Sequence, residues 1–159
     1  LTLSHISLFS FKNYEHLHLE FQDGVNCLVG RNGTGKTNLL DAIHYLCMSK
    51  SALSSQDQYA VQHSSDFFSV SGTFRTEHRA DTILCHYKKG QKKTLKCNKK
   101  EYDRLSEHIG KYPCVILTPD DTELVKEGSE IRRRYFDATL SQADRAYLNQ
   151  LIRYNHALK

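Results

Sequence analysis

The sequence predicts an α/β fold built around a phosphate-binding loop, with an antiparallel β-rich part and a helical segment after it. Three observations carry this. A glycine-rich stretch, Gly30 to Thr37, lies between a short apolar run and a run of helical periodicity. Alternating apolar residues joined by short turns fill the region from Phe67 to Cys97. From Thr118 onward, helix-start signals and helical spacing replace the alternation.

The elements follow in order. Leu1 and Leu3 begin a strand that Phe9 and Phe11 end, and Asn13-Tyr14 reads as a turn. Leu17, Leu19 and Phe21 alternate with His16, His18 and Glu20, the period of a half-buried strand. After an Asp23-Gly24 turn, Val25 to Val29 reads as a short buried strand. Beyond the glycine-rich loop, Leu39, Ile43 and Leu46 recur at helical spacing, widened by Leu40 and Cys47. Ser49 to Ser65 reads as a polar loop with one short helix. Phe68, Val70, Gly72 and Phe74 form a strand, Ile83, Cys85 and Tyr87 the next after a Glu77 to Asp81 turn, and Thr94 to Cys97 a third that turns at Asn98-Lys99.

Tyr102 to Ile109 is expected to be helical and to end at Gly110, with Cys114 to Leu117 a further short strand. Thr118-Pro119-Asp120-Asp121 reads as a helix start, with Thr as cap, Pro in the first position and acids in the first turn; Gly128 stops that helix. Ser129 to Thr139 continues helically with Ile131, Tyr135 and Phe136 as its apolar face, and Ser141-Gln142-Ala143-Asp144 resembles a capping box. The last helix, with Leu148, Leu151, Ile152 and Leu158, meets no stop signal, which predicts that the natural protein continues. The expected division is an N-terminal lobe over 1–118 and the start of a helical segment over 119–159.

Composition bounds the function. At 159 residues, 39% hydrophobic and 25% charged, the chain can bury one core. It has no apolar run long enough for a membrane span, and with no targeting segment it is expected in the cytoplasm. Its five cysteines are widely spaced without a CxxC pair, so buried thiols are expected rather than disulfides or zinc. The net charge of +4 is concentrated: residues 81–112 hold nine basic and four acidic groups.

Gly30-Arg31-Asn32-Gly33-Thr34-Gly35-Lys36-Thr37 fills every fixed position of the phosphate-loop pattern. Gly30, Gly33 and Gly35 are expected to take unusual φ values so that backbone amides form an anion-binding nest. The helix beginning near Lys36 adds its positive dipole end. Lys36 reaches the phosphates as a point charge, and the Thr37 hydroxyl ligates Mg²⁺. The implied ligands are ATP and Mg²⁺, with Asn38 beside them.

Lys88, Lys89, Lys92, Lys93, Lys96, Lys99 and Lys100 put seven cations in thirteen residues. Either they contact nucleic-acid phosphates, or they belong to a solvated hairpin whose lysines discourage edge-to-edge pairing. Arg132-Arg133-Arg134 point three ways around a helix, so at least one is expected to pair with an acid such as Glu130 or Asp137. His16 and His18 share a strand face, but no further ligand marks a metal site.

The chain resembles the N-terminal part of the RecF family, bacterial recombination-repair ATPases related to SMC and Rad50 heads. The resemblance is carried by Phe11-Lys12-Asn13-Tyr14, by Leu28 through Thr37, by Leu40-Asp41-Ala42-Ile43, by Leu117-Thr118-Pro119-Asp120-Asp121, by Arg132-Arg133 with Phe136-Asp137, and by Tyr154 to Lys159. It departs where Ala52 and Leu53 replace an aromatic-Arg pair, and where Asn98-Lys99 replaces Asn-Gly. The resemblance implies an ABC/SMC-like ATPase head whose Lys12 and Asn13 lie near the nucleotide. It implies an ATP-dependent homodimer of the full-length protein that binds DNA at gaps and single-strand/duplex junctions. RecR and RecO-like proteins are the implied partners in loading a recombinase. In the family the second acidic motif and the signature motif come later, so slow hydrolysis is expected of the whole protein and little of these residues alone. The rival readings are another SMC-like or Rad50-like head, a P-loop small-molecule kinase, and a lobe that only binds DNA or a partner. The strands between Phe67 and Cys97 fit a head better than a kinase.

Overall fold

A computed structural model describes residues 1–122 and 128–158. Its frame is a six-stranded antiparallel sheet in the order β2-β1-β3-β4-β5-β6. The strands are β1 (Thr2–Phe11), β2 (Tyr14–Glu20), β3 (Phe67–Arg75), β4 (Ala80–Lys88), β5 (Thr94–Cys97) and β6 (Lys100–Glu101). The helices are α1 (Lys36–Met48), α2 (Ser129–Ala143) and α3 (Arg145–Ala157).

Local patterning accounts for most of this. β3 and β4 alternate buried and half-buried residues over nine residues each, as predicted, and pair in unbroken register from Phe67↔Lys88 to Arg75↔Ala80. The β5–β6 turn at Asn98-Lys99 has φ of 50° and 72°, the double positive φ of a tight hairpin. Asn98 suits it because its side chain takes the Thr82 amide at 2.9 Å and donates to Asp81 at 2.8 Å.

α1 lies across one face of the sheet through Leu39, Ala42, Tyr45, Leu46, Cys47 and Met48, all buried. The predicted stripe is rotated, since Leu40 is 42% exposed and Asp41 is wholly buried. Phe11, Tyr45 and Phe68 meet edge to face with centroids 5.3–5.5 Å apart. Each large apolar side chain so buried contributes roughly 1.5–3 kcal/mol. At Gly72 the packing of α1 on the sheet leaves no room for a side chain: a Cβ there would lie 2.5 Å from Leu46 Cδ1 and 2.9 Å from the His5 carbonyl oxygen.

Several expectations fail for identifiable reasons. Val25 to Val29 is not a strand; Val25 is 91% and Val29 94% exposed. No strand among the described residues lies beside it, and the Asn26 side chain bonds the Gln22 backbone at both N–H and C=O, closing a loop. Tyr102 to Ile109 contains only a short 3-10 helix, Leu105–Glu107. The Tyr102 amide is still held by Leu95 at 3.0 Å and His108 by the Leu46 carbonyl, so the chain cannot coil between them. Cys114 to Leu117 is not a strand and pairs with none among the described residues. The Gln142 side chain stands in for a neighbour, accepting from the Cys114 N–H at 2.9 Å and donating to its carbonyl at 3.2 Å.

Pro119–Thr122 forms a 3-10 helix, and the helix expected between it and Gly128 lies outside the described residues. The capping box is displaced: Ser141 sits inside α2, and Asp144 itself caps α3 by accepting from the Ala146 and Tyr147 amides. The apolar face expected on α2 is turned outward, with Tyr135 39% and Phe136 56% exposed. Of the Arg132–Arg134 run, Arg134 pairs with Glu130 one helical turn away. Among the cysteines, Cys47 and Cys85 are buried and burial pushes the Cys85 thiol up to about 12, while Cys27 is exposed.

His108 is buried between Tyr102 and Tyr112, its ring 5.3 Å from each. Nε2 donates to the Leu46 carbonyl at 2.6 Å, which leaves the buried Nδ1 as a bare acceptor without a partner. Burial holds its pKa below the ordinary histidine value, outweighing the hydrogen bond to Leu46. The unfolded chain therefore takes the proton first. Stability is complete above about pH 6.5 and declines as pH falls below it. Melting temperature followed from pH 8 to 5 tests this, and His108→Phe should flatten the acid slope, part of which belongs to His44, lowered for the same reason.

Candidate phosphate-binding site

The loop over residues 30–37 follows the unpaired segment Val25 to Val29 and turns directly into α1. Gly33 (φ 81°) and Gly35 (φ 104°) take the left-handed backbone the motif requires. Gly30 does not; what it provides is room, since a Cβ would meet Thr34 Oγ1 at 3.3 Å. At Gly35 both demands coincide, because a Cβ would also lie 2.5 Å from the Asn13 side chain.

α1 begins without a side-chain cap, and its first intrahelical bond runs from the Leu39 N–H to the Gly35 carbonyl at 2.9 Å. The Lys36, Thr37 and Asn38 amides precede that bond, so the helix offers unspent donors and the positive end of its dipole to the loop. Lys36 folds over the loop, donating through Nζ to the Gly30 and Arg31 carbonyls at 2.7 Å each. Thr34 Oγ1 closes the turn on the same Arg31 carbonyl at 2.9 Å. Arg31, Asn32 and the Thr37 hydroxyl face solvent. Amides without intrahelical partners, an ammonium and a hydroxyl, with no carboxylate among them, are the groups that suit a polyanion.

Asn13 stands at the loop. Its Nδ2 donates to the Thr34 carbonyl at 3.2 Å, and its Oδ1 accepts from Asn38 Nδ2 at 2.7 Å, tying the β1–β2 turn to the loop and to α1. Lys12 does not stand there. Its ammonium lies 2.6 Å from Asp41 Oδ2, with Lys12 13% exposed and Asp41 fully buried. The positive φ of Lys12 (51°) and its N–H bond to Ala60 turn the side chain beneath α1. Asp41 also accepts from Ser51 Oγ at 2.7 Å and the Ala52 amide at 2.6 Å. This buried anchor of Lys12 was missed. Its signal was a carboxylate inside the apolar run Leu39 to Cys47, which burial obliges to find partners.

The lysine stretch does not form one patch. Lys93 is withdrawn into the protein, 9% exposed, donating to both Asp57 oxygens at 2.8 Å with its ammonium over the Tyr45 ring. Lys88 pairs with Asp66 and Lys96 with Glu101, and Lys89 donates to the Ser65 carbonyl. Lys92, Lys99 and Lys100 make no ion pair among the described residues. Among those residues no three His, Cys, Asp or Glu side chains gather as metal ligands.

With the loop geometry established, comparison with known proteins identifies the family. The sequence model of the AAA domain matches residues 5–155. The chain belongs to the AAA domain family. Within it, the chain is 46% identical over 159 residues to the DNA replication and repair protein RecF of Phocaeicola vulgatus, covering 99% of this chain and 43% of that protein. It superposes on a solved structure of the recombination mediator protein RecF-ATP in the RecFOR pathway with a TM-score of 0.91 and 35% identity, over 98% of this chain and 42–43% of such RecF chains. A solved structure from work on ATP-driven dimerization of SMC ATPases gives a TM-score of 0.68 at 22% identity, a likeness of fold. The RecF resemblance and the P-loop fold read from the sequence are both borne out. This AAA domain spans less than half the length of the RecF proteins it matches.

Proposed function

We propose that this chain is the ATP-binding part of a RecF-like DNA replication and repair protein. What carries the proposal is the pairing of a filled phosphate loop with similarity, along 98% of this chain, to a protein solved as RecF-ATP. ATP phosphates would meet the Lys36, Thr37 and Asn38 amides, and the Lys36 ammonium would leave two neutral carbonyls for charged oxygens. Thr37 would supply one oxygen to Mg²⁺, whose other ligands would be phosphate and water. Asn13 and Asn38 would hold the loop in register. In the complete protein the same reading extends to an ATP-dependent homodimer, to DNA at gaps and junctions, to RecR and RecO-like partners, and to slow hydrolysis in the cytoplasm. The segment from residue 119 would begin a second, helical lobe.

Calorimetric titration with ATP and Mg²⁺ tests the site. Lys36→Ala should weaken binding about 10- to 150-fold, the worth of a charge-assisted contact. Thr37→Ala should lower the affinity only when Mg²⁺ is present, and Thr37→Ser should restore it. Equal affinity of the wild type and Lys36→Ala would reject the site.

A further inference from the structure

Two of the five cysteines meet beside the segment that leads from the sheet to α2, and the phosphate site uses neither. Cys47 stands in the last turn of α1, 2% exposed. Cys114 is half-buried and packs against the core that Cys47 helps to form, while its neighbours Val115 and Leu117 turn to solvent. The two sulfurs lie within hydrogen-bonding reach, the Cys47 thiol donating to the Cys114 sulfur.

The partners are unequal. The hydrogen bond from Cys47 lowers the Cys114 thiol below the ordinary cysteine value, against the opposing effect of burial. The same bond raises Cys47, and burial adds to the rise. Cys114 is therefore the thiolate of the pair and the sulfur nearer to solvent, which makes it the nucleophile. The other three cysteines are placed differently. Cys85 is sealed in the sheet, Cys97 shares a hydrogen bond with the Tyr112 hydroxyl at 3.7 Å, and Cys27 is exposed in the loop before the phosphate site. The backbone at Cys114 is also free to follow a reaction. It pairs with no strand among the described residues, and the Gln142 side chain holds its N–H and its carbonyl. A disulfide needs sulfurs about 2.05 Å apart. A segment held by one side chain moves that far more cheaply than a strand held by a ladder.

We propose that Cys114 and Cys47 form a peroxide-responsive pair, in which Cys114 takes the oxidant and Cys47 resolves it as a disulfide. The Cys114 sulfur attacks one oxygen of hydrogen peroxide and the O–O bond breaks, giving a sulfenic acid and hydroxide. Cys47 gives its proton to that hydroxide and attacks the sulfenic sulfur, so that the S–O bond breaks as the S–S bond forms. Two thiols and one hydrogen peroxide become one disulfide and two waters, with two electrons passing from sulfur to oxygen. The bridge joins α1, at the end away from the phosphate loop, to the segment that Gln142 clasps to α2. A dithiol reductant reopens it by exchange, so the restraint on this junction is reversible.

The test treats the reduced protein with a stoichiometric amount of hydrogen peroxide. Free thiols counted in denaturant should fall from five to three, the loss being the two of the pair, and dithiothreitol should restore all five. A digest made without reductant should contain peptides joined through Cys47 and Cys114. Cys47→Ala should stop at a sulfenic acid on Cys114, which dimedone captures, whereas Cys114→Ala should leave Cys47 unreacted. Circular dichroism matching the wild type shows that each variant is folded, and the wild-type digest decides even where one is not. In the oxidised wild type the amides of 114–117 should exchange more slowly than in the reduced form. Five thiols surviving the treatment, loss of Cys27 ahead of Cys114, or a sulfenic acid persisting on wild-type Cys114 without a bridge each overturns the pair.

Discussion

Asp41→Ala is expected to lower the unfolding free energy by about 3–5 kcal/mol, the cost of breaking a buried ion pair from one side. Asp41 is fully buried and Lys12 nearly so, with 2.6 Å between ammonium and carboxylate. The substitution leaves the cation without its counter-charge and strips Ser51 Oγ and the Ala52 amide of their acceptor. Against a total of roughly 5–15 kcal/mol for a domain, the loss is large. Replacing both partners by apolar residues of similar size, Lys12→Met with Asp41→Leu, should recover most of it, because the desolvation of both charges disappears together. Urea unfolding of the two variants measures the difference. A single-variant loss below about 1 kcal/mol would mean that the pair is hydrated in solution. The effect should reach the phosphate site as well. Lys12 is followed by Asn13, whose side chain holds the Thr34 carbonyl and Asn38, so a loosened turn should also weaken ATP binding.

Lys12 shows what the sequence could not disclose. Lys12 and Asn13 are neighbours in a turn, and both were expected at the nucleotide, yet Asn13 bonds the phosphate loop while Lys12 pairs with Asp41. Proximity along the chain is legible; the direction of a side chain at positive φ is not. α1 and strands β3 to β5 were legible because their periodicity is local and each element meets a surface that suits it. Val25 to Val29 and Cys114 to Leu117 carry the composition of buried strands, but a strand exists only when a neighbour takes its backbone groups. In the phosphate loop the positive φ of Gly33 and Gly35 was readable, since the motif dictates backbone geometry, while that expected of Gly30 was not met. The lysine stretch was not, because composition cannot separate Lys93, spent on Asp57, from Lys99, which faces solvent.

The α2–α3 hairpin meets the rest of the chain at Gly110, and Gly110→Ala should cost about 2–5 kcal/mol, combining left-handed strain with overpacking. Gly110 has φ 86°, where an L side chain is strained whatever the space. A Cβ there would also lie 2.5 Å from the Gln142 carbonyl oxygen, a backbone atom of α2 that cannot yield as a flexible side chain would. The displacement has a definite consequence. Gln142 is the residue whose side chain holds both backbone groups of Cys114, so pushing α2 away should free the segment leading into Thr118 and Pro119. Gln142→Ala removes the same clasp without adding bulk and should cost about 1–3 kcal/mol through the unpaired Cys114 amide. Since both changes act on one junction, their combination should fall short of the sum. Hydrogen exchange is the decisive measurement. Loss of protection at Cys114 and along α2, with α1 and β3 unchanged, is expected of Gly110→Ala. Uniform loss across the chain would instead mean that the hairpin and the sheet unfold as one unit.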